Sequence, residues 1–508
     1  MPSDVVSEFF RAARARADAS AVIDNGRPVS YAELAAEVTA WARALADDPG
    51  TGAVAVPAVH SVRTIAAALG VMAAGRAYLP VDPAFPDQRQ AMMLAGAGCD
   101  TVLRTAAGTL GATDGRTVLE PPVAGGDPDW TTAPDQEAVA YILFTSGSTG
   151  APKPVEVPHR AIGAVTASLR ELFDVTPESR VLQFASLNWD TCFEEILPTL
   201  TGAATLVIDG DAHGGSFPRM LRMLEREAVT TVDLPTAYWH ELVRHLEEDG
   251  GTLPPSLHTV IIGGEPVDPG RLAAWRAADT AGVRLVNTYG CTETALITHA
   301  VDLYGPRTSA DIAARTGAPI GRPLPHVRQL FEPWQDGAED GPEDSGIAEL
   351  LVAGPSIAAG YRGSPELTAA RFVERRIGEE TVRCFRTGDL VRELPEGNLG
   401  IQGRADRQLK VRGVRLDPSE IEHELTAHPE VAASAVCGTE AAGRTILAAH
   451  IVPGTGADPA SLPDRVLADL RRRLPAHLIP TRLVVVDELP YTTSGKVDYP
   501  ALLRNHPS

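Results

Sequence analysis

Short β-branched runs alternate with amphipathic stretches over most of this chain, and the alternation predicts an α/β fold with stacked, largely parallel sheets. Strands are predicted over residues 138–144, 180–185, 204–208, 230–234, 259–262 and 284–287, with helices such as 218–228 and 271–278 between them. Three of these strands run directly into loops of unusual composition: Phe144 into TSGSTG, Ile262 into GGEP, and Asn287 into TYGCTET. Ligands in open α/β sheets gather at the carboxyl ends of strands, so the three loops are expected at one cleft. The pattern changes after about residue 400, where hairpins over 398–416, a helix over 418–427, a strand over 445–452 and a helix over 464–474 predict a small α+β unit. The expected division is 1–404 and 405–508, with Gly403-Arg404-Ala405-Asp406 as the joint. Residues 336–345, rich in Asp, Glu, Gly and Pro, read as a solvated loop.

At 508 residues and 44% hydrophobic content, the chain can bury more than one core. Its formal net charge of −21 argues against a nucleic-acid backbone partner and favours cationic small molecules. The apolar run 64–75 ends at Arg76 and is too short to span a bilayer, and the N-terminus lacks the uninterrupted apolar core of a signal peptide. The five cysteines form no CxxC or CxxH pair, which fits a reducing cytoplasm and excludes a structural zinc reading. Of the 45 Lys and Arg residues only Lys153, Lys410 and Lys496 are lysines, and all three lie in glycine-bearing segments. A chain that writes nearly every cation as arginine keeps lysine where a compact ammonium on a flexible stem is needed, and this points to a phosphate-bearing ligand.

Thr145, Ser146, Gly147, Ser148, Thr149 and Gly150 pack small hydroxyls and glycines directly after a buried strand, with Lys153 three residues on. Glycines let backbone N–H groups approach phosphate oxygens, hydroxyls add donors, and lysine adds charge. The segment is not a Walker loop, because GxxxxGK[ST] is absent.

Together with YAEL (31–34), AAGRAYLPVD (73–82), FTSGSTGAPKPVEVPHR (144–160), NTYGCTET (287–294), FRTGDLVR (385–392), GRADRQLKVRG (403–413) and TSGKVD (493–498), this segment resembles the adenylate-forming enzymes, specifically the amino-acid adenylation domains of nonribosomal peptide synthetases. The resemblance covers nearly the whole chain in the family's order, departing at Pro154, where glycine is usual, and at Cys291, where proline is usual. It implies ATP and Mg²⁺ as cofactors. It further implies that Tyr289 stacks on adenine, Asn287 reads its edge, Asp389 accepts from the ribose hydroxyls with Arg404 nearby, and Gly264, Glu265 and Gly290 belong to the same nucleotide set. By the same matching Thr292 holds the α-phosphate, Glu293 helps ligate Mg²⁺, and Lys496 contacts both the substrate carboxylate and the α-phosphate. Asp406 matches the hinge about which the small domain rotates, so that the face bearing Lys410 and Gly413 replaces Lys496 for thiolysis.

The choice of acid can be read with more physics. Asp190 and Glu194 are four apart, so on a helix both carboxylates project from one face. Asp190 matches the aspartate that pairs with the substrate amine, and the further lining positions by resemblance are Thr191, Glu194, Asp233, Ile261, Gly263, Thr288, Leu296 and Ile297. Asp233 interrupts an apolar strand and needs a partner. Glu194 and Asp233 are two acids beyond the one required, and burying them without a counter-charge is costly, so the expected substrate is a diamino acid of the lysine or β-lysine type. The alternative is that Glu194 faces solvent beside Glu195 and the pocket takes a neutral side chain.

Because the sequence ends twelve residues after Lys496, no carrier domain fits within it. The expected enzyme is therefore a freestanding, cytoplasmic amino acid–AMP ligase loading the phosphopantetheine thiol of a separate carrier protein in antibiotic-type peptide biosynthesis. A small MbtH-like helper protein is a further candidate partner; neither nucleic acid nor membrane is expected. The rival readings are an acyl-CoA or aryl-acid ligase of the same superfamily, which the paired carboxylates disfavour, and a non-catalytic nucleotide-binding relative, which should have lost Lys496, Glu293 or Asp389.

Overall fold

The computed structural model describes residues 4–122, 130–146, 152–278, 280–334, 346–411, 414–441, 444–490 and 497–505. The chain divides into two compact units, the first made of residues 1–83, 93–143 and 154–405, the second of 84–92, 144–153 and 406–508.

The first unit is a mixed α/β structure built on a nine-stranded and a seven-stranded sheet, with a five-stranded sheet beside them. In the nine-stranded sheet, Ser20–Asp24, Thr205–Ile208, Arg180–Leu182, Thr231–Pro235, Thr259–Gly263 and Arg284–Gly290 run parallel, in that spatial order. Ile297–Tyr304 and Arg322–Pro323 close one edge in antiparallel fashion, and Arg27–Ser30 closes the other. The inner strands are buried on both faces, as near-continuous apolar runs require. One face of the sheet carries Val232, Leu234, Val260, Ile262 and Leu285 into a core completed by Trp239, Leu242 and Trp275. The other carries Ile261 and Val286 into the larger core, where Cys192, Phe193 and Ile196 of the helix Thr191–Thr201 also lie. Side chains alternate along a strand, so Asp233, which pairs with Ile261, faces that helix.

Observed elements follow the predicted ones closely in the parallel region. The predicted strands 230–234, 259–262 and 284–287 are found as Thr231–Pro235, Thr259–Gly263 and Arg284–Gly290, each carried one to three residues further by pairing. Ser30 and Glu33 form a reciprocal capping box at the start of Tyr31–Ala46. The apolar run near residue 64 is the helix Val62–Ala73, buried on nearly all sides because it sits inside the domain. A Cβ on Gly70 would lie 2.5 Å from the Cβ of Trp41, which is why these two helices can approach so closely. No helix among the described residues is long and apolar enough to cross a membrane.

One expectation needs correction. The hairpin region predicted over 398–416 is two separate pieces: Leu399–Arg404 pairs back onto Glu380–Glu393 in the first unit, whereas only Leu409–Val411 and Val414–Leu416 pair with each other. Leu399–Arg404 closes a hairpin with the strand that precedes it, across the turn 394–398, and this carries the first unit through Ala405. Of the three loop-bearing strands, two are neighbours in the nine-stranded sheet, but Val139–Thr145 belongs to the seven-stranded one, parallel to Tyr78–Val81.

In the second unit, Val431–Ala441 and Arg444–Pro453 form an antiparallel pair joined in parallel by Arg482–Val485. Leu416, Ile421, Leu425, Leu447, Leu462, Val466 and Leu470 fill its core against the helices Pro418–Thr426 and Leu462–Arg473.

Candidate active site

The acid cluster is assembled by one helix and the strands it packs against. Thr191–Thr201 begins after Asp190, which retains helical dihedrals (φ −59°, ψ −30°), so Asp190 and Glu194 share one helix face. Glu194 is 9% exposed and Asp233 4%, which excludes the alternative that Glu194 faces solvent. Its neighbour Glu195 has a different duty: it accepts from the backbone N–H groups of Phe184 and Ala185 and from Gln183 Nε2, and is fully satisfied. Asp233 Oδ2 is buried with no partner among the described residues. Burial pushes the Glu194 carboxyl well above its ordinary range, and the Asp233 and Asp190 carboxylates push it the same way. Burial also raises Asp233, opposed by Glu194. Asp190 is raised by burial, with the Thr292 hydroxyl opposing and Glu293 reinforcing. Among the described residues no cation answers these three acids, and buried carboxylates without a counter-charge are costly.

Ile261, Gly263 and Thr288 lie beside Asp233 across the parallel register, Gly263 being paired with both Pro235 and Thr288. Thr288 Oγ1 donates to the Ile262 carbonyl at 3.0 Å, and a Cβ on Gly263 would lie 2.5 Å from that same oxygen. Glycine at 263 therefore answers to strand packing as much as to pocket width. Leu296 and Ile297 are 2% exposed. Ala295 (φ 49°) and Leu296 (φ 77°) both take left-handed backbone, a costly turn that brings the Leu296 carbonyl to where a Cβ on Gly290 would stand. Thr191 lies half-buried in the first turn of the Asp190 helix.

A second cluster surrounds Asp389. Tyr289 Oη donates to Asp389 Oδ2, Arg404 Nη1 donates to Asp389 Oδ1, and Arg404 Nη2 donates to the Thr387 carbonyl at 3.1 Å. Strand pairing brings this about, because Asp389 and Arg404 are register partners between Glu380–Glu393 and Leu399–Arg404. Asn287 Nδ2 donates to the Pro319 carbonyl at 2.8 Å, which fixes its amide orientation. Glu293 is 3% exposed and accepts from Tyr361 Oη at 2.9 Å, while its backbone carbonyl accepts from Ala358 N. Tyr361 lies in the motif GIAELLVAGPSIAAGYRGSPELTAARF (346–372), which also resembles the family, but no role is read for it from the sequence; Gly360–Tyr361 pairs with Lys153–Pro158. Thr292 is half-buried one residue before Glu293, and Gly264 (φ 90°) and Glu265 follow the Gly263 strand end.

In the second unit, Thr145 closes its strand, Ser146 Oγ donates to the Arg415 carbonyl at 3.3 Å, and Lys153 is 7% exposed. Lys410 is half-buried in the hairpin Leu409–Val411, and Asp406 Oδ1 accepts from Gln408 N. Gly147, Ser148, Thr149, Gly150, Gly413 and Lys496 lie outside the described residues.

Comparison with known proteins places the chain in a family. Residues 9–362 match the AMP-binding enzyme family and residues 420–496 its AMP-binding enzyme C-terminal domain. The chain is 38% identical over 96% of its length to an isonitrile lipopeptide synthase of Streptomyces coeruleorubidus, covering 32% of that protein. It is 33% identical to novobiocin biosynthesis protein H of Streptomyces niveus, with 96% of this chain and 80% of that protein covered. Among solved structures, holo-PA1221, a nonribosomal peptide synthetase protein containing adenylation and carrier (PCP) domains and bound to a vinylsulfonamide inhibitor, superposes with a TM-score of 0.82 at 25% identity, covering 99% of this chain and 84% of that one. The chain spans a third or less of the first curated relatives it matches. With the Asp389 and Asp190 clusters standing on a two-part match of this extent, the chain belongs to the AMP-binding enzyme family, the ATP-dependent, AMP-forming ligases.

Proposed function

We propose that this protein activates a diamino acid of the lysine or β-lysine type as its aminoacyl-AMP and passes the acyl group to the phosphopantetheine thiol of a carrier protein. The observation that carries the substrate assignment is the buried Glu194–Asp233 pair with its orphaned Asp233 Oδ2. A substrate ammonium supplies the missing positive charge and the missing donor together, while Asp190 takes the other amine. A neutral isostere leaves a buried acid unpaired, which is a strong basis for rejection.

In the first half-reaction the substrate carboxylate oxygen attacks the α-phosphorus of ATP; the bond to the bridging oxygen breaks and pyrophosphate leaves. Tyr289 and Asn287 hold the adenine, and Asp389, oriented by Tyr289 and Arg404, accepts from the ribose hydroxyls. Thr292 donates to the α-phosphate, and Lys496, as the resemblance implies, neutralises the charge developing on it and keeps the attack in line. The Thr145–Gly150 loop and Lys153 are assigned to the outer phosphates. Glu293, whose carboxylate accepts from Tyr361 Oη, would supply an oxygen ligand to Mg²⁺, a hard cation that takes carboxylate oxygens. The chemistry it supplies when bound is neutralisation of phosphate charge. In the second half-reaction a thiol attacks the mixed anhydride, giving thioester and AMP, with Asp406 as the hinge and the Lys410–Gly413 segment at the thiol entrance.

Substrate-dependent pyrophosphate release across lysine, β-lysine, ornithine, diaminobutyrate, glutamine and leucine tests this reading. Preference for a diamino acid supports it; preference for glutamine or leucine sinks the charge-pairing argument and leaves the ligase chemistry standing.

A further inference from the structure

Two carboxyl groups enclosed together in one site cannot both be ionised without a cation between them. Glu194 and Asp233 meet that description in the free protein. They approach from opposing elements, a helix and the strand beneath it, and each is under one-tenth exposed.

The groups around the pair make the case sharper. On its own helix Glu194 has Asp190, Cys192 and Glu195, and the influences resolved on the pair itself are burial and carboxylates. From the strand Val139–Thr145, Tyr141 presents a fully buried hydroxyl without a partner among the described residues, and it feels Asp190 and Glu194. Ile261, Gly263, Val286 and Thr288, from the strands beside Asp233, bring no charge. Glu293 acts on Asp190. The cations on elements packed against the far side of the helix are already committed: Arg170 to Glu8, and Arg180 to Glu227. Tyr31 there donates to the Leu200 and Ala204 carbonyls, and His159 is buried with its positive form disfavoured. On the other face of the Asp233 strand, Thr236–Asp249 packs with Trp239, Leu242 and Val243.

We propose that Glu194 and Asp233 hold one shared proton in the substrate-free pocket, and that the second ammonium of the substrate enters in exchange for that proton, so that selection between charged and neutral side chains is set by pH. The inference rests on the diamino-acid reading above and deepens it. The exchange balances: an R–NH₃⁺ group arrives from water, the Glu194 carboxyl loses H⁺ to solvent, and the pair passes from a net charge of −1 to −2 facing one ammonium. The substrate amine stays protonated throughout. Raised carboxyl affinities for the proton on both residues agree with the geometry. A neutral side chain with an amide can bond to the protonated pair, but cannot displace its proton. Acidification therefore weakens diamino-acid binding while leaving a neutral competitor unaffected, so selectivity narrows towards low pH.

Isothermal titration of the full chain with lysine and β-lysine, in the presence of an α,β-methylene ATP analogue that cannot react, tests this in two buffers of different ionisation enthalpy. The expected result near pH 6 is release of about one proton per diamino acid bound, a bound fixed by the single shared proton, with none released for glutamine. The kcat/KM ratio of lysine to glutamine should also fall by up to about tenfold per pH unit on acidification below the pair's titration. Asp233→Asn removes one carboxylate that holds the Glu194 carboxyl raised, so the pH at which the ratio falls should move down, with burial and Asp190 keeping part of the effect. Tight lysine binding with no proton release, or a ratio independent of pH, overturns the exchange and leaves the diamino-acid reading intact. Binding of glutamine or leucine in place of any diamino acid overturns the reading itself.

Discussion

Replacing Glu194 by Gln should move activity and stability in opposite directions. The side chain keeps its shape and one oxygen but loses its charge in a site that is 9% exposed. Two unit charges 4 Å apart interact by about 4 kcal/mol at an effective dielectric of 20, and that sets the upper bound for what the distal ammonium loses. Asp233 remains and retains part of the interaction, so a loss of about 1.4–4 kcal/mol, or roughly 10–1000-fold in kcat/KM for a diamino acid, is expected. Stability follows the other sign. A carboxyl whose proton is held more tightly in the folded chain stabilises the fold below its unfolded pKa of about 4.3, and that contribution is lost as pH rises through the raised folded value. Glu194 is such a group. Glu194→Gln removes the repulsion with Asp233 and should leave the substrate-free protein as stable as the wild type near pH 5 and more stable at pH 8, where the wild-type carboxyl gives up a tightly held proton. Pyrophosphate release kinetics and thermal unfolding at both pH values read the two effects on one preparation. A variant that is less stable at pH 8 but retains wild-type selectivity would refute the reasoning, because Glu194 would then be an ordinary structural acid with a partner of its own.

Three further outcomes are expected. Lys496→Ala should abolish adenylate formation while ATP binding stays measurable by equilibrium dialysis; unchanged turnover removes the catalytic assignment. Arg404→Ala strips a largely enclosed partner from Asp389, whose side chains are 16% and 12% exposed, and should raise KM for ATP by about 10–100-fold with Arg404→Lys recovering only part, since lysine lacks the second donor to Thr387. Gly263→Ala drives a Cβ to 2.5 Å from Thr288 Oγ1 and should lower unfolding stability by about 1–3 kcal/mol, partly restored in the double variant with Thr288→Ala; full restoration of stability without loss of selectivity would show that Gly263 serves the sheet and not the pocket.

What the sequence determined by itself was whatever is local. The parallel strands were legible because burial on both faces demands continuous apolar runs, and the Ser30–Glu33 capping box and the shared face of Asp190 and Glu194 follow from helical periodicity. Ordered motifs led to the family for the same reason: loops that close on phosphate need particular residues at fixed short spacings. Tertiary structure alone decided the rest. The glutamates at 194 and 195 look alike in the chain, yet one is saturated by Phe184, Ala185 and Gln183 while the other meets an aspartate 39 residues away. Tyr361 reaches Glu293 through the pairing of Gly360–Tyr361 with the distant strand Lys153–Pro158, whereas Arg404 reaches Asp389 within one hairpin. Leu399–Arg404 joins the first unit because it pairs with the strand before it and not with the strands after it, a choice between neighbours that a local pattern does not make. A carboxylate's charge state depends on which groups surround it in space, and neighbours in space are what a linear pattern does not contain.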